Sequence, residues 1–181
     1  MVTIFKTGVE YMWIWFIIVF FVCALGVTLG GIIASMRTIP PIIALVTLAC
    51  SFLFFSYIGM FLAIIGPFGW FGFRLLDIII AICSFLLIVA ILRSYHPAFG
   101  YQFFFKPLGL ILSILFFLMG FQWGMFNYGT LFTLLMAFFF SGAVFFGILL
   151  YNSILIWVKN VYLVAFLPLV TFLFITVVKL L

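Results

Sequence analysis

At 181 residues, with 71% apolar side chains, 5% charged ones and a formal net charge of +5, this chain lacks the polar surface that a water-soluble globule of its length requires. The same numbers leave no room for a sizeable extramembrane domain, and the seven Lys and Arg residues are scattered rather than gathered into the basic stripe of a nucleic-acid-binding surface. A span takes about 20 apolar residues, so composition predicts an all-α, polytopic transmembrane helix bundle of about six spans, within bounds of five to seven.

In chain order, residues 1–11 place Lys6, Glu10 and Tyr11 ahead of the first apolar run. They lack the cationic stretch, short apolar core and small-residue cleavage site of a signal peptide, and are expected to stay in the mature protein. The first span is predicted over 12–34, with Trp13 and Trp15 at headgroup level. Further in, Gly26 and Gly30 form a G-x-x-x-G that Gly31 and Ser35 extend, a stripe that lets a second helix approach closely, within the chain or from a partner. Arg37 and Pro40-Pro41 mark a loop, since proline suits the first turn of a helix and blocks extension of the one before.

The second span is predicted over 42–65, and Gly66, Pro67 and Gly69 form a turn before the third, over 70–92. The third contains Asp77, one of only two acidic residues, with Arg74 three positions earlier on the same helical face and able to pair with it. The longest polar interval follows, from Arg93 through His96, Pro97 and Gln102 to Lys106, and Pro107 opens a fourth span over 107–125. There Gly120 and Gly124 repeat the close-approach spacing, with Gln122 and Trp123 between them. A turn at Asn127-Tyr128-Gly129 leads to a fifth span over 130–157, and Lys159-Asn160 to a sixth over 161–178, in which Pro168 should kink the helix or open its ladder locally. With six spans, Arg37, Arg93, Lys106 and Lys159 share one side, against Lys6 and Lys179 with Arg74 at the edge of the other. Basic residues mark the cytoplasmic or matrix side, so both termini are expected to face the opposite compartment.

Chemical motifs are sparse. Cys23, Cys50 and Cys83 are far apart and lie within spans, which predicts packing residues and no redox pair or metal site. A lone His96 rules out intramolecular bis-histidine haem ligation. Ser141-Gly142 resembles the Ser-Gly of rhomboid intramembrane proteases, but no histidine follows it to act as a base, so it is assigned to helix packing. Asp77, Arg74 and Glu10 remain as candidates for a proton path, because ionisable groups inside spans are costly and usually face protein or water. The plainer alternative is that Asp77 and Arg74 neutralise each other near a helix end, that Asp77 pairs with a neighbouring subunit, and that Glu10 is solvated at the interface.

Two short stretches resemble one family. Tyr57-Ile58-Gly59 resembles the Tyr-x-Gly that begins the central helix of subunit 6 of respiratory NADH:quinone oxidoreductase, and the stretch from Gly66 to Phe73 resembles the Gly-x-Pro-Pro turn of that complex's antiporter-like subunits. The resemblance implies a compact membrane subunit of a proton-translocating respiratory complex. Its 29 Phe residues, a skew toward T-rich codons, point the same way, to an organelle-encoded subunit of a mitochondrial inner membrane, with a bacterial inner membrane as the alternative. The expected role is structural or proton-conducting, without catalysis or a redox cofactor of its own, in contact with other membrane subunits and phospholipids. The alternative is a small-solute transporter or substrate-binding module, since span count and length resemble the substrate-binding components of energy-coupling-factor vitamin transporters.

Overall fold

The computed structural model describes residues 2–35, 40–66, 73–96, 100–101, 106–157 and 161–180, with side-chain surroundings for 15–35, 40–66, 74–94, 107–154 and 169–178. It comprises α1 (Val2–Ser35), α2 (Pro41–Ile65), α3 (Phe73–Ser94), β1 (Tyr95–His96), β2 (Gly100–Tyr101), α4 (Lys106–Met125), α5 (Thr130–Trp157) and α6 (Val161–Leu180). Trp15–Ser35, Pro41–Ile65, Arg74–Ser94, Pro107–Met125 and Thr130–Ile154 are each long and apolar enough to cross a membrane, and α6 adds a shorter described apolar stretch, Leu169–Val178. The described residues form an all-α membrane bundle of six helices.

Helices form here because hydrocarbon offers backbone groups no partner but each other. Large apolar side chains point outward as well as inward: Phe54, Phe61 and Ile65 on α2 and Leu131, Phe138 and Phe145 on α5 are all exposed. Helices apolar on every face have lipid, not water, as their solvent.

The first helix extends back to Val2, ahead of its apolar span, since nothing in the leading segment breaks an established ladder. At a rise of about 1.5 Å per residue it is about 50 Å long, more than a hydrocarbon core of about 30 Å, so it tilts or carries its first turns beyond the core. The described part of the third helix is Phe73–Ser94, with Arg74 as its second residue. The polar interval after it holds a small antiparallel hairpin, with Tyr95 opposite Tyr101 and His96 opposite Gly100.

Local chemistry sets the clearest ends. Pro40 (φ −56°, ψ 130°) precedes α2 and Pro41 occupies its first turn, and the Pro40 carbonyl accepts from Ile43 N–H at 3.1 Å and Ala44 N–H at 3.2 Å. At the end of α4, Tyr128 N–H donates to the Trp123 carbonyl and Asn127 N–H to the Gly124 carbonyl, both at 3.0 Å, around a left-handed Asn127 with φ 57°. This is a Schellman cap with asparagine in the place glycine usually takes. It turns the chain directly into α5. The last helix is continuous through Pro168, whose side chain lies outside the described residues.

The closest helix pairs are remote in sequence. On α1, a methyl group added to Gly26 would lie 2.7 Å from Ala143 Cβ and 2.9 Å from the Phe140 carbonyl oxygen, and one on Gly30 would overlap the Val144 carbonyl. From the opposite side, Gly147 meets the Val27 carbonyl. The partner residue numbers rise together, so α1 and α5 run parallel. The second pair repeats the arrangement: Gly120 lies against the Ser56 carbonyl, Gly59 against the Phe117 carbonyl, and a methyl on Gly124 would sit 2.6 Å from the Met60 carbonyl oxygen and 2.7 Å from Ala63 Cβ. Thus α2 and α4 also run parallel, and Ser56 Oγ crosses the seam to donate to the Phe116 carbonyl at 3.3 Å.

These pairs join into a closed ring in the order α1, α5, α2, α4, α3, α6. Between α2 and α5, Phe52 stacks on Phe140 with ring centroids 4.3 Å apart and planes 8° from parallel, while Phe116 of α4 presents its edge to both. Trp123 and Phe132 extend the cluster toward the Asn127 turn, and Trp15 of α1 reaches Phe132 at 5.4 Å. Where α6 closes the ring onto α1, Phe21 of α1 meets Phe172 of α6 at 5.5 Å.

Gly30→Ala and Gly120→Ala should each lower stability by about 1–3 kcal/mol, because the new methyl group meets backbone that cannot rotate away. Gly142→Ala, whose added atom meets nothing within 4 Å, should stay within about 0.5 kcal/mol. Thermal unfolding in detergent micelles reads both. In the same assay Asn127→Gly should be neutral or slightly stabilising, whereas Asn127→Val should cost about 1–2 kcal/mol for a branched side chain held at positive φ.

Candidate functional site

A polar contact between side chains joins α3 to α4 in the apolar interior. Gln122 Nε2 donates to Asp77 Oδ1 at 2.8 Å. Gln122 is buried, only 4% exposed, and Asp77 is half-buried. Asp77 is four residues into α3 and Gln122 three residues from the end of α4, so the pair lies within roughly 6 Å of that end of both helices. The start of one helix beside the end of the other makes them antiparallel.

The partner of Asp77 differs from the one its spacing suggests. Arg74 is exposed, and among the described residues no ion pair joins it to Asp77. A residue in the first turn of a span can extend a long cationic side chain to the headgroups, where its charge is hydrated. The carboxylate accepts from the Gln122 amide of α4. Glu10 lies on α1 ahead of Trp15, and its side chain is outside the described residues, as are those of Lys6, His96, Lys106, Lys159 and Lys179. Arg37 and the Pro67–Gly69 turn are outside them too.

Four buried hydroxyls bond within their own helices, whereas Ser56 and Thr133 bond across to a neighbour. Thr28, Ser84 and Thr176 donate to the carbonyls of Ala24, Ile80 and Phe172, each four residues back, at 2.7–2.9 Å, and Ser94 to Ile91 at 2.8 Å. Thr133 Oγ1 crosses from α5 to Met60 Sδ of α2 at 3.1 Å. Ser141 donates to the Ala137 carbonyl of its own helix at 2.8 Å, and a Cβ on Gly142 beside it would face open space. Among the described residues every buried side-chain nitrogen or oxygen has a hydrogen-bond partner. Among the same residues, no group of His, Cys, Asp or Glu is arranged to hold a metal. Cys23 and Cys83 are half-buried, Cys50 is exposed, and all three are free.

Three apolar recesses complete the surface. One of about 940 Å³ follows the outer face of α2 past Phe54, Ile58 and Phe61 to Leu134 of α5. Another of about 500 Å³ lies between α3 and α6, by Ile82, Phe85 and Leu173. A third, about 310 Å³, is wedged among α1, α5 and α6. Neither Asp77 nor Gln122 lines any of the three.

The glycine seams and the Asp77–Gln122 contact therefore occupy different places. Gly26 and Gly30 serve α1 on α5, and Gly120 and Gly124 serve α4 on α2. Gly59 and Gly147, on the opposing helices, complete the seams although neither stands in a glycine repeat. Of the residues at the polar contact, Gln122 is the one the sequence marks least clearly. Its signal is an amide inside an apolar run of a chain with one intramembrane carboxylate. Comparison with protein-family models, with curated proteins and with solved structures finds no match for this chain.

A double-mutant cycle on Asp77→Leu and Gln122→Leu should give a stabilising coupling of about 1 kcal/mol, in the range of interhelical hydrogen bonds in membranes. Gln122→Leu alone should cost more than the double substitution, since it takes a donor at 2.8 Å from a half-buried carboxylate. Chemical unfolding in mixed micelles measures each corner, and a coupling of zero would make the contact incidental.

Proposed function

We propose that this chain is a non-catalytic, multi-pass subunit of a larger membrane assembly, of the proton-translocating respiratory class, in which it acts as a helical scaffold. The observation that carries the reading is the Asp77–Gln122 contact in its surroundings. The carboxylate accepts from the Gln122 amide, and Ser56, buried against Gly120 two residues before Gln122, donates across to the Phe116 carbonyl, so polar groups at this level of α4 serve contacts between helices. Such an interior favours a structural tie between α3 and α4 over a relay that loads and releases protons. The Phe-rich composition and the Tyr57-Ile58-Gly59 step support placement in an organelle inner membrane, with a bacterial inner membrane as the alternative. Redox centres would reside in other subunits, and phospholipid would cover the outward apolar faces.

A small-solute transporter or substrate-binding module is the second reading. The 310 Å³ cavity among α1, α5 and α6 favours it, being at the lower end of ligand-pocket volumes. Its lining is almost wholly apolar, which suits a hydrocarbon ligand better than a hydrated solute.

Extraction in mild detergent followed by a native gel and identification of co-migrating chains tests the first reading directly. The chain is expected in a band of high mass with other membrane subunits, and recovery as a stable lone species would overturn it. Within an intact assembly, Asp77→Asn keeps an oxygen to accept from Gln122 and should leave turnover and proton coupling unchanged. Loss of coupling without loss of assembly would instead give Asp77 a conducting role.

A further inference from the structure

The six helices divide into two sets of three, α1 to α3 and α4 to α6, that repeat each other upside down. The six buried residues of α2, from Leu48 through Phe52, Ser56 and Gly59 to Ala63, each have a buried equivalent 88 positions on in α5, from Met136 through Phe140, Val144 and Gly147 to Tyr151. The same interval relates α3 to α6. Ser84, Leu87 and Ile88 and their equivalents Phe172, Ile175 and Thr176 are all buried, whereas Ile82 and Phe85 and their equivalents Val170 and Leu173 are all exposed. From α1 to α4 an interval of 94 places Gly26 on Gly120, Gly30 on Gly124 and Thr28 on Gln122, every one of them buried.

A shared helical period lets any two buried stripes be aligned, but it does not account for three further coincidences. One interval serves both α2 with α5 and α3 with α6. Seam glycines fall on seam glycines, Gly59 on Gly147, and their neighbours agree, since Val27 against Gly147 answers to Phe121 against Gly59. Phe52 stacks on Phe140, its own equivalent. These two helices run in opposite directions, because Phe52 meets Phe140 while Tyr57 reaches the Thr130 carbonyl. Following the ring as α6, α1, α5 and, from the other end, as α3, α4, α2 matches each helix with its inverted equivalent. A two-fold axis parallel to the membrane, passing through the Phe52–Phe140 stack and between α3 and α6, thus exchanges one body of α1, α5 and α6 with another of α4, α2 and α3.

Each body is held by a glycine seam in which backbone meets backbone, and the second also contains the Asp77–Gln122 contact. Between the bodies, the described residues meet chiefly where α2 faces α5 and α3 faces α6, through side chains such as Phe52 on Phe140 and Thr133 on Met60. The α3–α6 boundary also holds an open recess of about 500 Å³ beside the equivalent pair Phe85 and Leu173. Helices packed through side chains can slide and tilt where interlocked backbones cannot.

We propose that these two bodies rock on each other about the Phe52–Phe140 stack, opening their boundary to one membrane face and then to the other. The stack lies midway along α2, where it serves as a fulcrum. A tilt that parts the bodies at one face has a twin, generated by the axis, that parts them at the opposite face. Near copies exchange roles in the two tilts, so the free energies are close and both tilts are populated. The inference gives the proposed scaffold a moving part and holds whichever chains surround it.

The test uses the full-length protein in phosphatidylcholine vesicles, with Cys23→Ala, Cys50→Ala and Cys83→Ala to clear native thiols and helical circular dichroism to confirm the fold. Nitroxides are placed across the boundary at Ile65 and Leu131, near one membrane face, and at their equivalents Ser153 and Ile43 near the other, all exposed positions. Pulsed electron spin resonance should give two distance populations for each pair, and a single narrow one for Ile43 with Leu110, which lie within one body. Joining Ile65→Cys to Leu131→Cys with a short bismaleimide should move the Ile43 and Ser153 pair, now labelled on encoded keto side chains, wholly to its longer distance. Joining the other end should do the reverse. A single population at both ends, or a tie that leaves the far pair unmoved or shortens it, would overturn the proposal.

Discussion

Everything in this bundle depends on backbone meeting backbone at glycine. In hydrocarbon, two apolar helix faces gain little by leaving lipid, since acyl chains are as apolar as leucine side chains. Association has to come from contacts that lipid cannot make equally well, and those require close approach. Gly30 on α1 and Gly120 on α4 supply it, each bringing a neighbouring carbonyl into the space a side chain would occupy. The summed dispersion energy of such seams is large, although each atom pair contributes only about 0.1–0.2 kcal/mol.

The seams also explain the topology. Both join helices that run parallel, α1 with α5 and α2 with α4, and parallel helices cannot be neighbours in an alternating chain. Residues distant in sequence therefore make the tightest contacts, and α3 and α6 close the ring around them. The aromatic group centred on Phe52 fills the space left where α2, α4 and α5 converge. A recess remains among α1, α5 and α6.

Polar contacts between side chains and across helices reinforce this packing. The Asp77–Gln122 contact lies near one end of α3 and α4, at the level of Gly120 and Gly124 but toward α3 and not α2, and ties a ring member that lacks a seam of its own. Thr28, Ser84 and Thr176 bond to a carbonyl one turn back, the nearest acceptor on their own helices, while Ser56 and Thr133 reach a neighbouring helix.

Much of the architecture is a property of the sequence alone. Apolar runs of span length, Pro40-Pro41, and the Asn127-Tyr128-Gly129 turn determine helices and their ends, because hydrocarbon permits little else and because proline and left-handed asparagine act within a few residues. The glycine repeats likewise announce close approach, but a repeat does not name its partner. Only the tertiary structure decided that Gly26 and Gly30 face α5, that Gly59 and Gly147 complete the seams from positions with no repeat to mark them, and that Asp77 meets Gln122 rather than Arg74. Spacing along one helix describes a single face of that helix, whereas pairing depends on which remote face offers a matching surface, and that is settled only when all six helices pack at once.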